Sequence, residues 1–187
     1  TRGQDESLIK ILSPAKDKGN GTLKKGREMW IYNPKINRTT RIPPSMMSQG
    51  WQGSDISYNE LSKNDDELKL YTHKMIGTDT NDGKKVHVVE CVPKKGAPVV
   101  WGMIKIHIRE DNIILKSEFF DEEFQLVKTA DASQIQMMGG KLLPKVTKVT
   151  EASNLEKYTL LENQTVEYNA EVSDRLFTIY NLQNPRR

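Results

Sequence analysis

From residue 99 to residue 109 the chain alternates with a period of two. Val100, Gly102, Ile104, Ile106 and Ile108 fall on one side, and Trp101, Met103, Lys105, His107 and Arg109 on the other. Alternation of this kind marks a strand with one covered face. The second side starts apolar and turns charged, so the strand is expected to line a cavity at one end and meet water at the other. Comparable runs predict strands at 7–13, 28–33, 38–42, 69–78, 84–92, 99–109, 113–120, 123–129, 134–138, 142–150, 156–161 and 164–170. The connectors carry turn chemistry, with Asn81-Asp82-Gly83 offering a glycine for positive φ. Arg109 to Asn112 and Asp121 to Glu123 read as short charged hairpin turns. Strands joined this tightly are expected to be antiparallel neighbours in a meander. Helical signal is confined to single turns near 56–62 and 174–177, and 43–50 reads as a loop holding Met46 and Met47.

Composition narrows the class. The 187 residues suit one domain and can bury a core without disulfide or metal staples. Charged residues make up 28% and hydrophobic ones 36%, which predicts a soluble chain with wet surfaces. No apolar run reaches the length of a membrane-spanning helix, and the polar start Thr1-Arg2-Gly3-Gln4 has no signal-peptide pattern. The net charge of +3 comes from interspersed signs. The densest basic segment, Lys24, Lys25 and Arg27, is too short for a nucleic-acid stripe, and Arg186-Arg187 reads as a frayed end. Nucleic acid is therefore not an expected partner. The lone Cys91 sits in an apolar run and reads as a buried thiol. Asn20, Asn37 and Asn163 begin N-x-T tripeptides, which read as accidental in a bacterial protein.

Catalytic and metal chemistry find little footing. His73, His87, His107 and Cys91 show no paired metal-ligand spacing, so no metal and no cofactor are expected. Ser54-Asp55 follows Gly53 without a nucleophile elbow and reads as a capped turn. The carboxylate pairs Asp65-Asp66 and Glu122-Glu123 lie in polar turns, without the apolar surroundings that raise a pKa. Gly19-Asn20-Gly21 reads as a polar loop. What stands out is soft and apolar: Trp30 and Tyr32, Met46 and Met47 with Trp51, and Trp101 with Met103. Methionine adapts to irregular ligands, and Trp and Tyr give broad contact area. These seven residues are the candidate lining of an apolar cavity. For each one, an ordinary core position is the competing reading.

A longer pattern runs through the same region. It reads Met29-Trp30-Ile31-Tyr32-Asn33-Pro34, then Arg38-Thr39-Thr40-Arg41-Ile42-Pro43, then Gly53-Ser54-Asp55-Ile56-Ser57-Tyr58 with Glu60-Leu61. Ile9 to Ala15, Gly21-Thr22-Leu23, Glu90-Cys91-Val92-Pro93, Phe119-Phe120-Asp121 and Leu176-Phe177-Thr178 belong to it too. The pattern resembles the outer membrane lipoprotein-sorting protein family, a branch of the LolA/LolB-like superfamily. Thr40 stands where that family carries the first Arg of its Arg-Arg-Ile run.

The resemblance implies a mostly β fold: a strongly curved, unclosed antiparallel sheet, a half-barrel whose concave face is capped by short helices or loops. Residues 1–187 would form a single LolA-like domain, with an opening helix and first strands expected upstream and therefore missing. It also implies a periplasmic carrier, not an enzyme, that shelters the acyl chains of a lipoprotein or lipid and ferries them between membranes. The alternative is a periplasmic interaction or sensor module beside an RND/MMPL-type exporter. Expected partners are the acyl chains, a membrane exporter or acceptor, and a second copy through an exposed sheet edge. Arg38, Arg41, Gly53, Ser54, Asp55 and Tyr58 are read as structural residues of the motif or as the mouth of the cavity.

Overall fold

The structure, a computed structural model, describes residues 1–62 and 66–184. Asp65 and the Arg186-Arg187 pair lie outside these residues. The chain divides into two compact units. The first comprises Thr1–Gln49, Ser57–Asn64 and Ala170–Arg187, and the second Gly50–Ile56 and Asp65–Asn169. The fold is mostly β, as the alternation predicts, with antiparallel strands in two sheets, neither closed into a barrel.

The first unit holds the four-stranded meander β1 (Glu6–Lys10), β2 (Gly21–Lys25), β3 (Glu28–Asn33) and β4 (Arg38–Arg41). Pattern reading missed β2, because Gly-Thr-Leu-Lys-Lys looks like a polar connector. In the structure Gly21, Thr22, Leu23 and Lys24 are all buried between β1 and β3. Leu23, Tyr32, Phe177 and Leu182 form the core, with Leu8, Trp30 and Val172 packed on it. Phe177 ends a 3-10 turn, Asp174–Phe177, and Leu182 comes from helix α3 (Ile179–Gln183). The Arg2 guanidinium lies 5.0 Å from the Phe177 ring and pairs with Glu6 and Asp174. Helix α1 (Tyr58–Ser62) opens with a capping box. There Ser57 N and Oγ each donate to Glu60 Oε2 at 2.8 Å, and Glu60 N donates back to Ser57 Oγ at 3.2 Å.

The second unit begins its sheet after helix α2 (Asp66–Leu70). Its strands are β5 (Tyr71–Asn81), β6 (Lys84–Pro93), β7 (Met103–Arg109), β8 (Ile113–Phe120), β9 (Leu126–Met138), β10 (Lys141–Glu151) and β11 (Tyr158–Glu162). They pair in sequence order, as hairpin-length connections require. The predicted strands 123–129 and 134–138 are one strand, β9. Its middle, Ala130-Asp131-Ala132-Ser133, lacks apolar signal but is paired to β10, and through Ala130 and Asp131 also to β8. The predicted strand 164–170 is irregular despite its alternation. Its neighbour Asn163 bonds to the backbone of β10 instead, with N to Lys145 O at 2.8 Å and Nδ2 to Pro144 O at 3.0 Å.

The turn ends of β5–β6 and β7–β8 are tied by a charged clamp. Arg109, 4% exposed, donates from Nε and Nη2 to both oxygens of Asp111 (2.8 and 3.1 Å) and from Nη1 to Asn81 Oδ1 (3.1 Å). Lys84 Nζ reaches Asp111 Oδ2 at 2.6 Å. Together the two cations hold the Asp111 carboxyl far below its ordinary range.

Candidate functional site

Residues directly opposite in an antiparallel pair share a face, so the register sorts the seven strands into two surfaces. One surface is apolar and can be followed in three rows. The first runs His73, Cys91, Ile104, Phe119, Lys128 and Glu151. The second runs Met75, Val89, Ile106, Ser117, Ala130, Val149 and Thr159. The third holds Thr78, His87, Ile108 and Ile114, then Ala132, Thr147 and Leu161.

The opposite surface alternates in charge. Lys74, Glu90, Lys105 and Glu118 stand in one cross-strand row, and His107, Lys116, Asp131 and Lys148 in the next. Lys116 reaches Glu118 at 2.9 Å and His107 reaches it at 3.3 Å. Lys105 lies over the Phe120 ring at 5.0 Å. One wet face and one apolar face is the common arrangement of an antiparallel sheet.

The apolar surface is covered at one end and open at the other. Cys91 and Ile104 in the first row are 0% and 1% exposed. Leu70, Val99 and Trp101 pack over this cluster, and Tyr71 OH donates to Trp101 O at 3.1 Å. Two rows on, Ile108 is half-buried and Ile114 is 47% exposed, while Met75 and Leu161 at the sheet's edge strands are 62% and 41% exposed. Ile104 to Ile108 spans four residues, about 13 Å along the strand. Within that distance the surface passes from sealed to accessible.

At the covered end the Trp101 and Phe119 rings meet at 5.3 Å, tilted by 46°. Lys128, 5% exposed, stands beside Phe119, with Nζ 5.2 Å from the Trp101 ring and 5.7 Å from the Phe119 ring. An ammonium is tolerated there because aromatic faces attract cations and because Nζ donates to Asp55 O at 3.0 Å. The segment Gly50–Ile56 is held by that bond and by a two-way link to β11. Asp55 N donates to Thr159 Oγ1 at 3.0 Å, and the Thr159 hydroxyl donates to Asp55 Oδ2 at 2.7 Å. Lys157 Nζ adds an ion pair to Asp55 Oδ1 at 3.6 Å. His87 brings one polar atom to the accessible third row. Among the described residues its Nδ1 is buried without a hydrogen-bond partner.

The candidate residues read from the sequence fall as follows. In the first unit Trp30 and Tyr32 share one side of β3 and belong to the core around Leu23. Met46 and Met47 are half-buried at a 3-10 turn, Pro44–Met46, and Met47 O accepts from Asn59 N at 2.7 Å. Arg38 and Arg41 are exposed on β4, with Arg41 paired to Glu28. Tyr58 is 6% exposed, and its N donates to Gln49 O at 3.1 Å.

In the second unit Trp51 is half-buried in the turn Trp51–Gly53. Gly53 supplies the φ of +78° there, and Ser54 Oγ donates to Trp51 O at 2.7 Å. Asp55 holds the segment as described above. Trp101 and Met103 do not share a side, contrary to the period-two reading of 99–109. The strand begins only at Met103, and Gly102 lies where a Cβ would stand 2.2 Å from Asp121 O. Trp101 therefore packs with Ile104 and Phe119, while Met103 stands across from Phe120 on the charged side. Lys128, Thr159, Phe119 and His87 were not among the cavity candidates read from the sequence, although His87 was weighed as a metal ligand and Phe119 belongs to the family pattern. Phe119 alone carried a local signal, as part of an aromatic pair. The other three gain meaning only from cross-strand register.

Among the described residues no group of three or more His, Cys, Asp or Glu side chains is placed to hold a metal ion. No helix among them is long and apolar enough to cross a membrane.

A family profile described as an uncharacterized protein matches residues 3–184. The chain belongs to this family. Its fold is shared with solved structures. An outer membrane lipoprotein-sorting protein domain from Vibrio parahaemolyticus superposes with a TM-score of 0.83 at 20% identity, over 98% of this chain and 80% of that one. A DUF1329 family protein from Desulfovibrio piger gives 0.85 at 24% identity, over 95% and 76%. A LolA superfamily protein from Nitrosomonas europaea gives 0.74 at 19% identity, over 95% and 78%. The architecture of this family member is thus LolA-like, as its motifs led one to expect. No curated protein matches the chain by sequence.

Proposed function

We propose that this protein is a periplasmic carrier that shelters the acyl chains of a lipoprotein or lipid against the apolar face of its seven-stranded sheet. The observation that carries the reading is the change in exposure on that face, from Cys91 and Ile104 in the first row to the accessible Ile114 and Leu161 in the third, with Met75 exposed at the edge strand of the second. A chain lying along it from the open end would meet Ile, Val and Met side chains and stop against the Trp101–Phe119 pair. The LolA-like architecture supports the same role, and residues 1–187 are taken as one LolA-like domain. The reading is of a binder and not an enzyme: the face offers apolar contact, and its buried ammonium is directed at a backbone carbonyl and two rings.

The energetics are suited to transient carriage. Each methylene removed from water is worth about 0.8 kcal/mol, so a long acyl chain needs broad apolar contact when it leaves a membrane. A face left partly open shelters such a chain incompletely, which favours release. Of the candidate residues, Trp101 fits this site best. Trp30, Tyr32, Met46, Met47 and Trp51 stay within the proposal as candidate apolar contacts for the acyl chain. Met103 looks to the other face.

Native mass spectrometry with organic extraction, on protein purified without detergent, tests the reading. Acyl lipid should accompany the wild type and be lost in Ile108→Asp and in Met75→Asp. Met75 is 62% exposed, so the second variant keeps its fold. Protein that emerges clean and takes up no lipid when offered it sinks the proposal.

A further inference from the structure

Side-chain size varies across the apolar face of the seven-stranded sheet in an ordered way. In the second row Ile106 of β7 and Val149 of β10 are 7% and 5% exposed. Between them stand only Ser117 and Ala130, directly opposite each other on β8 and β9. These two small residues stay partly accessible although the larger side chains on both flanks are covered. In the third row the pattern continues over β9 alone. Ala132 is partly accessible there, with Ile114 of β8 on one side and Thr147 of β10 on the other. Side chains on a sheet stand roughly perpendicular to it, so a run of small ones between taller neighbours is a groove. Its floor is Ser117, Ala130 and Ala132.

The groove is closed at one end. In the first row the same two strands carry Phe119 and Lys128, large side chains standing opposite each other. The Trp101 ring meets Phe119 at 5.3 Å, and Lys128 is fixed by its 3.0 Å bond to Asp55 O. At the other end the third row is accessible, with Ile114 47% and Leu161 41% exposed. From Lys128 to Ala132 the floor strand advances four residues, about 13 Å. An extended alkyl chain with bonds of about 1.5 Å advances about 1.3 Å per carbon, so this length takes about ten carbons.

Resting on the carrier reading, we infer that the groove along β8 and β9 limits the length of acyl chain that is recognised. A saturated chain enters methyl end first, lies along Ser117, Ala130 and Ala132, and stops against Trp101 and Phe119. About ten carbons are sheltered, and carbons beyond them stay in water and add little to affinity. Trp101 and Phe119 set the stop, and Ala130 sets the depth of the floor.

Calorimetric titration of the full chain with linear saturated fatty acids, from hexanoate to tetradecanoate and below their micelle concentrations, tests this. Affinity should rise about fourfold per methylene up to decanoate and level off beyond it. Ala130→Leu fills the floor, so it should move the plateau to shorter chains and weaken decanoate about tenfold or more. Trp101→Ala removes the stop and should move the plateau to longer chains. If that variant does not fold, Ala130→Leu, at a partly accessible position, decides the matter with circular dichroism as its control. Ser133→Leu, at an exposed site on the other face of β9, should leave the profile as it was. Affinity that climbs without a break to tetradecanoate overturns the inference. So does a plateau that stays at the same length in Ala130→Leu, or failure to bind any of these acids. Organic extraction of the purified protein reads the carrier role separately. Lipid recovered there alongside any of those results leaves a carrier without a length limit, and no lipid together with no fatty-acid binding removes both.

Discussion

The two faces of the seven-stranded sheet are made by the same strands, residue by residue in alternation, and they answer to different physics. On one face Ile104 is 1% exposed among Cys91, Phe119 and Trp101. Its sequence neighbour Lys105 turns the other way, stands between Glu90 and Glu118, and lies over the Phe120 ring. Burial acts on the first residue and near-surface electrostatics on the second. Dense packing makes a lost methylene costly, whereas exposed ion pairs exchange water contacts for one another at little net gain. The charged face meets water, while the apolar face supplies packed core at one end and accessible apolar surface at the other.

Substitutions at adjacent positions should reveal this asymmetry. Ile104→Ala should cost about 3 kcal/mol, from lost transfer energy and the cavity left behind, read as a shift in urea midpoint. A cost near that of a surface site would mean the first row is not a packed core. Lys128→Met should cost about 1–2 kcal/mol, since it leaves the Asp55 carbonyl short of its donor. It should also raise amide exchange in 51–56. Unchanged exchange there would show that Thr159 and Lys157 hold the segment without Lys128. Lys105→Ala should cost less than about 0.5 kcal/mol, and its effect should shrink further in high salt.

The clamp at the turn ends sharpens the comparison through pH. Asp111 has a free value of 3.8 and is held well below it by Arg109 and Lys84. A carboxyl whose pKa falls on folding stabilises the fold above its free value. It loses that contribution as pH falls toward the folded value. Arg109→Met should therefore melt below the wild type at neutral pH, and the gap should narrow as pH drops below about 4. A gap that stays constant to low pH would make Arg109 a packing residue only.

Much of this was legible in the chain. Period-two alternation placed β3, β6, β8 and β10 within a residue or two, because each has a covered face that needs apolar side chains at every second position. It failed for β2, where Gly21 and Lys24 are buried only because strands lie on both sides. It also failed for the middle of β9, whose small and polar residues are held by pairing and not by their own hydrophobicity. The segment 164–170 shows the reverse case, since it alternates but forms no strand.

The candidate site divides along the same line. Trp101 was visible as a large apolar residue among strands, and the Gly53-to-Tyr58 motif was visible as a pattern. That Asp55 is gripped by Thr159 and Lys128, from strands far along the chain, was not. The sequence by itself determined an antiparallel, mostly β chain with one apolar and one charged side to its strands, because alternation is a local property of an extended backbone. Which apolar residues are sealed and which stay open was decided only by the tertiary structure. Burial depends on cross-strand register, on Gly102 ending one strand's alternation, and on what packs above each row, and none of these is written at a single position.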